Sequence, residues 1–397
     1  MLKNITPKWY IGIIWYLITM GLLIAVAIPL QRNWGMYGAA LTQIVLLMAA
    51  LAAPLLFKWK LSEVMPVRKI TAKHFLGTIL LYIATFITVI LVSSIISIFS
   101  PGMTEIGNAL GNFFVTVPFW VAMLFVAVLP GICEEVLFRG VILHTMRKIK
   151  SEFTIMLIVA VLFGIFHLDI YRFLPTAILG FAMTYLMLKT GNFLLPVFYH
   201  FINNAVSIAV SYKTFSEGVG VDTAHVVRLE EIGALLIFAA IVPVLYYFAG
   251  RLLNPARKNK KDKYAIIAIS VALFVSGCAI LINYGLTGAG TVIMNFNMTE
   301  YVDNDTAPVR HELSLENSGY YNLSFSIKDE TETIITEFVF KDEAGVNIFG
   351  PLAGADIFGN KPQFLEAGIY TIEFSFDNAS STSVPVTFEF TARKIGG

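Results

Sequence analysis

Nine stretches of this chain are long, apolar and nearly free of charge, and they constrain the fold more than any other feature. They run over about 9–30, 36–57, 75–99, 113–133, 154–171, 173–188, 193–211, 232–250 and 264–285. A helix that crosses the hydrocarbon of a bilayer needs roughly 20 mostly apolar residues. In water there would be no way to bury so many such surfaces. Of the 397 residues 57% are hydrophobic and only 14% charged, against about 25% charged in an ordinary soluble domain. The expected fold class is therefore a polytopic all-α membrane bundle of about nine transmembrane helices, with the lipid bilayer as its first partner. The 28 basic and 27 acidic residues leave a net charge of +1, so no global field points to nucleic acid. Cys133 and Cys278 both lie in apolar runs and suggest no disulfide framework. Lys3 and Lys8 precede an apolar run too long for a signal-peptide core, which reads as a retained helix.

Basic residues mark cytoplasmic loops. Lys58, Lys60, Arg68, Lys69 and Lys73 fill one connection, Arg147, Lys148 and Lys150 a second, and Arg257, Lys258, Lys260, Lys261 and Lys263 a third. Nine spans with a cytoplasmic N-terminus put all three on the same side. Within 113–150 the helical pattern runs unusually long, and Pro130-Gly131 predicts a bend or break there. From about Asn295 the texture changes to alternating apolar residues, as in "YYNLSFSI" and "YTIEFSF", with Gly, Asn, Asp and Ser between the runs. That pattern predicts a C-terminal all-β sandwich or jelly-roll domain, placed outside the cytoplasm by the loop parity. Its four Asn-x-Ser/Thr sequons, at Asn297, Asn304, Asn322 and Asn378, read as polar surface. The expected organisation is two N-terminal helices and a loop over 1–74, a helical core over 75–250, a basic loop and last helix over 251–290, and the β domain over 291–397.

Ionisable groups inside a membrane span are costly and mark function by default. Glu134, Glu135 and Arg139 lie in "PGICEEVLFRG", His167 in "FGIFHLD", and His200, Asn203 and Asn204 in "VFYHFINNA". Glu135 and Arg139 are four apart, so they share a helix face and can neutralise each other. Glu134, turned by about 100° from Glu135, is the carboxylate left free for chemistry. Phe163 can flank His167 at the same spacing, and His200 projects with Asn204. Glu134 lies 16 residues before Lys150 and His167 lies 17 after it, so two antiparallel helices from that basic turn bring both to one level. A buried Glu–Arg pair can also be plain structure, and a lone His in a span is often only a helix–helix partner. Such groups on three segments, each at helical spacing, favour a joint function. His74, His144, His225 and His311 read as solvated, and Asp169 and Arg172 as interfacial anchors. Cys133 faces away from Glu134.

Together the motifs Glu134-Glu135-Val-Leu-Phe-Arg139, Phe163-Gly-Ile-Phe-His167 and His200-Phe-Ile-Asn203-Asn204 resemble those of the CPBP intramembrane proteases, which include the type II CAAX prenyl endopeptidases and bacteriocin-processing and immunity proteins. The resemblance covers about 75–250 and leaves out the first two helices, the last one and the β domain. It implies an intramembrane endopeptidase acting on a membrane-associated protein or peptide, in a bacterial cell membrane. Glu134 with His167 would activate a water, His200 and Asn204 would stabilise the oxyanion, and Glu135 and Arg139 would support the helix carrying Glu134. A metal-free glutamate mechanism is the expectation, with no cofactor required. Its alternative is Zn2+ held by Glu134, His167 and His200 with one position open. A catalytically silent scaffold or immunity-type protein is a further alternative, as is a transporter, for which an internal helix repeat is missing.

Overall fold

The computed structural model describes residues 6–100, 102–215, 229–254, 261–286, 292–302, 309–329, 334–353, 363–378 and 384–395. The chain divides into two compact units, Met1–Cys278 and Ala279–Gly397.

The first unit is helical: α1 Trp9–Phe57, α2 Ala72–Phe99, α3 Gly102–Phe114, α4 Phe119–Met146, α5 Glu152–Phe166, α6 Ile170–Thr190, α7 Leu194–Phe215, α8 Leu229–Ala239 and α9 Val242–Leu253, followed by α10 Lys261–Leu286. Among the described residues, seven helical stretches rather than nine are long and apolar enough to cross a membrane. With that composition the protein is an integral membrane protein.

The difference from nine has two physical sources. First, the two expected spans 9–30 and 36–57 form one 49-residue element, folded back on itself at Gly35, where φ is 53° and ψ is −127°. Only glycine adopts that backbone cheaply. The reversal is visible in one bond: Trp15 Nε1 donates to Ala49 O at 3.1 Å across 34 positions, which a straight helix would hold about 51 Å apart. Second, the expected span 154–171 is the 15-residue α5, about 22 Å long and short of the roughly 30 Å hydrocarbon. It stops because Leu168 takes a left-handed φ of 53° and Asp169 caps the next helix, its Oδ1 accepting from Tyr171 N at 2.8 Å and Arg172 N at 3.2 Å. The expected span 232–250 is present as one stretch, Glu231–Leu253, built from α8 and α9.

At Pro130-Gly131, where a bend or break is expected, the helix does not break. The helix runs through it, and the break falls earlier, at 115–118, ahead of Pro118. Proline in a helix interior clashes with the carbonyl four residues back. Here the turn before Pro130 is widened into a π-helix over Met123–Val128, and a second π turn follows over Val136–Ile142. The wider ring leaves room for the proline.

Helices α4 and α6 are the most enclosed, with 56% and 61% of their apolar stretches buried, against 6% for α10. Polar groups on α4 therefore face protein. Phe138 of α4 anchors the core, with the rings of Phe163, Phe166 and Tyr16 edge-on at 5.0, 5.2 and 6.2 Å. Gly164 lets α5 and α6 close up beside their turn, since a Cβ there would stand 2.7 Å from Phe173 O.

Among the described residues the second unit holds eight antiparallel strands: β1 Val292–Val302, β2 Val309–Leu315, β3 Gly319–Asp329, β4 Ile334–Lys341, β5 Asn347–Ala353, β6 Gln363–Leu365, β7 Gly368–Asn378 and β8 Val384–Ile395. They form two four-stranded sheets, β1-β8-β3-β6 and β2-β7-β4-β5. The period-2 pattern is explicit in β2, where Leu313 and Leu315 are buried and Glu312 and Ser314 exposed. Tyr321 and Leu323 of β3, and Tyr370 and Ile372 of β7, are buried in the same rhythm. Arg310 pairs in register with Glu373 and donates to it at 2.9 Å, and Lys341 joins the same carboxylate. Asn304 lies outside the described residues, while Asn297, Asn322 and Asn378 lie on strands.

Candidate active site

Helix α4 carries three charged groups inward: Glu134 is 7% exposed, and Glu135 and Arg139 are fully buried. Arg139 Nη1 donates to Glu135 Oε1 at 2.8 Å, one helical turn away, and Nη2 donates to Gly180 O at 2.8 Å. Its guanidinium also lies 4.8 Å from the centroid of the Phe163 ring. The cation is thus met by an ion pair, a carbonyl and an aromatic face, while its Nε has no hydrogen-bond partner among the described residues.

Glu135 has a second partner on α7. His200 Nδ1 meets Glu135 Oε1 at 2.9 Å. A carboxylate only accepts, so Nδ1 carries the hydrogen, and the ring turns Nε2 towards Glu134 Oε2, 3.9 Å away. Glu134 Oε1 accepts from Gln43 Nε2 at 3.1 Å, whereas Oε2 is buried with no hydrogen-bond partner among the described residues.

His167 stands at the C-terminal end of α5, held by the tight turn through Leu168. Its Nδ1 lies 2.9 Å from Phe163 O. A carbonyl cannot donate, so Nδ1 is the protonated nitrogen and Nε2 is the free acceptor of the neutral ring. The Phe163 ring fixes both imidazoles edge-on, at 5.0 Å from His167 and 5.8 Å from His200. Glu134, His167, His200, Asn203 and Asn204 all line one cavity of about 590 Å³, shared with Gln43 and Arg172.

Asn204 has a structural duty as well. Pro130 has no N–H for the carbonyl four residues before it, that of Val126, and Asn204 Nδ2 donates to that oxygen at 2.8 Å. Asn203 Nδ2 in turn donates to Asn204 Oδ1 at 3.1 Å. One N–H of the Asn204 amide is therefore committed to α4, leaving the second for a ligand.

Two cavity residues escape the sequence reading. Gln43 sits in the second arm of α1, outside the three motifs, and only the fold-back at Gly35 brings it to Glu134. Arg172 reads as an interfacial anchor in sequence yet lines the cavity; its place five residues after His167 is a signal visible afterwards. Asp169 serves as the α6 cap. His144, expected to be solvated, is buried and packs its ring 5.2 Å from that of Trp59; the apolar face of α4 continues past it. His225 lies outside the described residues.

The donor set does not fit zinc as it stands. No group of three His, Cys, Asp or Glu among the described residues is placed to hold a metal ion. Ligand atoms on a tetrahedral zinc with bonds of about 2.1 Å lie roughly 3.4 Å apart, and His200 Nε2 and Glu134 Oε2 are 3.9 Å apart.

Comparison with known proteins bears on this cavity. Residues 116–206 match the family model "Type II CAAX prenyl endopeptidase Rce1-like". That segment contains all three motifs. The protein of Bacillus subtilis (strain 168) named "Putative membrane peptidase YdiL" is 29% identical over 92 residues, 23% of this chain. The chain spans 38% of that relative's length. No solved structure matches.

Proposed function

From a CPBP-type, Rce1-like segment that holds every cavity-lining motif residue, we propose that this protein is an intramembrane endopeptidase of membrane-associated proteins or peptides. One observation carries the reading: the unpartnered Glu134 Oε2 faces His200 Nε2 at 3.9 Å inside a cavity that His167 also lines. Water bound between Glu134 and His167 Nε2 would give a proton to the carboxylate and attack the scissile carbonyl. His200 in its charged form donates from both nitrogens, Nδ1 to Glu135 and Nε2 towards the oxyanion. The second N–H of Asn204 is the other donor. Glu135, itself neutralised by Arg139, aims the His200 ring, as a buried carboxylate orients a catalytic imidazole. The proton on Glu134 then passes to the leaving amine. The mechanism needs no metal ion.

The organisation follows from the same reading. The two arms of α1 count as two crossings and α5 as a short one, which restores nine. The basic loops and the N-terminus then lie in the cytoplasm and the strands outside it. Units of 1–74, 75–250, 251–290 and 291–397 would serve as entry helices, protease core, last crossing and β domain. The strand orders β1-β8-β3-β6 and β2-β7-β4-β5 support a jelly roll, since successive strands mostly alternate between the sheets.

The test is cleavage of single-span peptides co-reconstituted with the protein in nanodiscs. Wild type should cut, and Glu134→Gln and His167→Ala should not, while both retain the wild-type circular dichroism. Full activity in Glu134→Gln would leave only the scaffold reading.

A further inference from the structure

Two arginines near the site stand in opposite situations. Arg139 is fully buried and held by Glu135, the Gly180 carbonyl and the Phe163 ring, although its Nε has no hydrogen-bond partner among the described residues. Arg172 is only half-buried in the first turn of α6, and it lines the cavity beside Glu134, His167 and His200. Asp169 binds the backbone N–H of Arg172, not its guanidinium. Among the described side chains and carbonyls, no hydrogen bond or salt bridge reaches that guanidinium. Through space its charge is felt first by Asp169 and then by Glu134, but neither carboxylate bonds it, and the contacts of Glu134 are to Gln43 and His200.

A cation on a membrane-enclosed wall without an ion pair is costly. The cost is recovered when an anion arrives. A guanidinium is a planar fork of five donors that matches a carboxylate in two parallel bonds, and it is less strongly hydrated than an ammonium. The remaining lining near it is apolar or neutral: Phe166, Leu168, Thr176 and Leu179. Glu134 is the one carboxylate among the described cavity-lining residues.

We propose that Arg172 is a specificity-determining anchor for a carboxylate of the substrate, either its C-terminus or an acidic side chain near the scissile bond. The inference rests on the peptidase reading for the word substrate, but its test is binding, which needs no turnover. The anchor holds the peptide by its charged end while the apolar lining takes the neighbouring side chains. Catalytic groups and anchor stand on the two sides of the 167–169 turn. A ligand fixed at Arg172 therefore has its peptide bonds near His167.

The probes are three dansyl-labelled apolar pentapeptides: the free acid, its C-terminal amide, and the amide with one internal glutamate. Binding is measured by fluorescence anisotropy to the full chain in neutral-lipid nanodiscs, in a Glu134→Gln background that cannot turn them over. The free acid should bind roughly 10- to 100-fold more tightly than the amide, the worth of a hydrogen bond to a charged group. Adding Arg172→Gln should collapse that ratio to about one, and Arg172→Lys should restore part of it, because a point charge replaces a fork. If the internal glutamate recovers the tight binding, the anchor takes side-chain carboxylates as well; if not, it reads the C-terminus. Equal affinity for acid and amide, an acid preference that survives Arg172→Gln, or no binding of any probe would overturn the anchor. None of these results would bear on whether wild type cleaves the nanodisc peptides, which judges the hydrolase separately.

Discussion

Arg139→Met tests whether the charged pair inside α4 holds the site together. Arg139 is fully buried, its Nη1 donates to Glu135 Oε1 at 2.8 Å and its Nη2 to Gly180 O at 2.8 Å. Methionine of comparable length fills most of the space but leaves a buried carboxylate with only His200 Nδ1 as a donor, and a carbonyl of α6 with one partner fewer. Removing one member of a buried pair costs about 3–5 kcal/mol. The lost bond to the carbonyl adds about 0.5–1.5 kcal/mol. The single variant should therefore lose roughly 4–6 kcal/mol. Glu135→Gln in the same chain removes the orphaned charge, so the double variant should recover at least about 2 kcal/mol of that loss, as pairs in one network do. The assay is SDS titration from mixed micelles, followed by far-ultraviolet circular dichroism, on wild type, both singles and the double. A loss below about 1 kcal/mol in Arg139→Met, or strict additivity across the cycle, would refute the reasoning.

Three further outcomes follow from particular contacts. Gly35→Ala should destabilise by about 1–2 kcal/mol in the same titration, because alanine resists the positive φ of the α1 reversal. Asn204→Ala should lose stability by about 1–3 kcal/mol, since the Val126 carbonyl is left without its donor, and should cut peptide hydrolysis by on the order of 10²–10³; unchanged turnover would confine Asn204 to the structural role. In the β region, Lys341 and then Arg310 hold the Glu373 carboxyl below its ordinary value of 4.5. A depressed acid contributes stability that is present above the unfolded pKa and lost as pH falls through the folded one. Amide exchange in β2, β4 and β7 should therefore quicken below about pH 4.5, and Lys341→Met should flatten that dependence.

What could be read in the sequence was what depends on local periodicity. The spacing of Glu135 and Arg139 describes one helical turn, and the structure has their salt bridge there. Phe163 and His167 are likewise one turn apart, with rings 5.0 Å from each other. The alternation after Asn295 is strand period, and two antiparallel sheets occupy that region. What could not be read depends on long-range closure or on backbone detail. Gln43, 91 positions before the carboxylate it binds, reaches Glu134 only because α1 doubles back at Gly35. Pro130 signals a break by rule, and the π turns that absorb it have no sequence mark. Hydropathy cannot distinguish a full crossing from α5, whose end is set by the Leu168 turn and the Asp169 cap. Asn204 carries no sign of its bond to Val126, because the missing N–H is on another helix. Arg172 looks interfacial because charge at the end of an apolar run usually is.

The central claim is that water activated beside Glu134 cleaves a peptide bond. Its most direct measurement is mass spectrometry of the products formed from a co-reconstituted single-span peptide in water enriched with oxygen-18. Wild type should place one heavy oxygen in each newly formed C-terminal carboxylate, and Glu134→Gln should give no product. Products without the label, or a Glu134→Gln protein that cleaves at the wild-type rate, would contradict it.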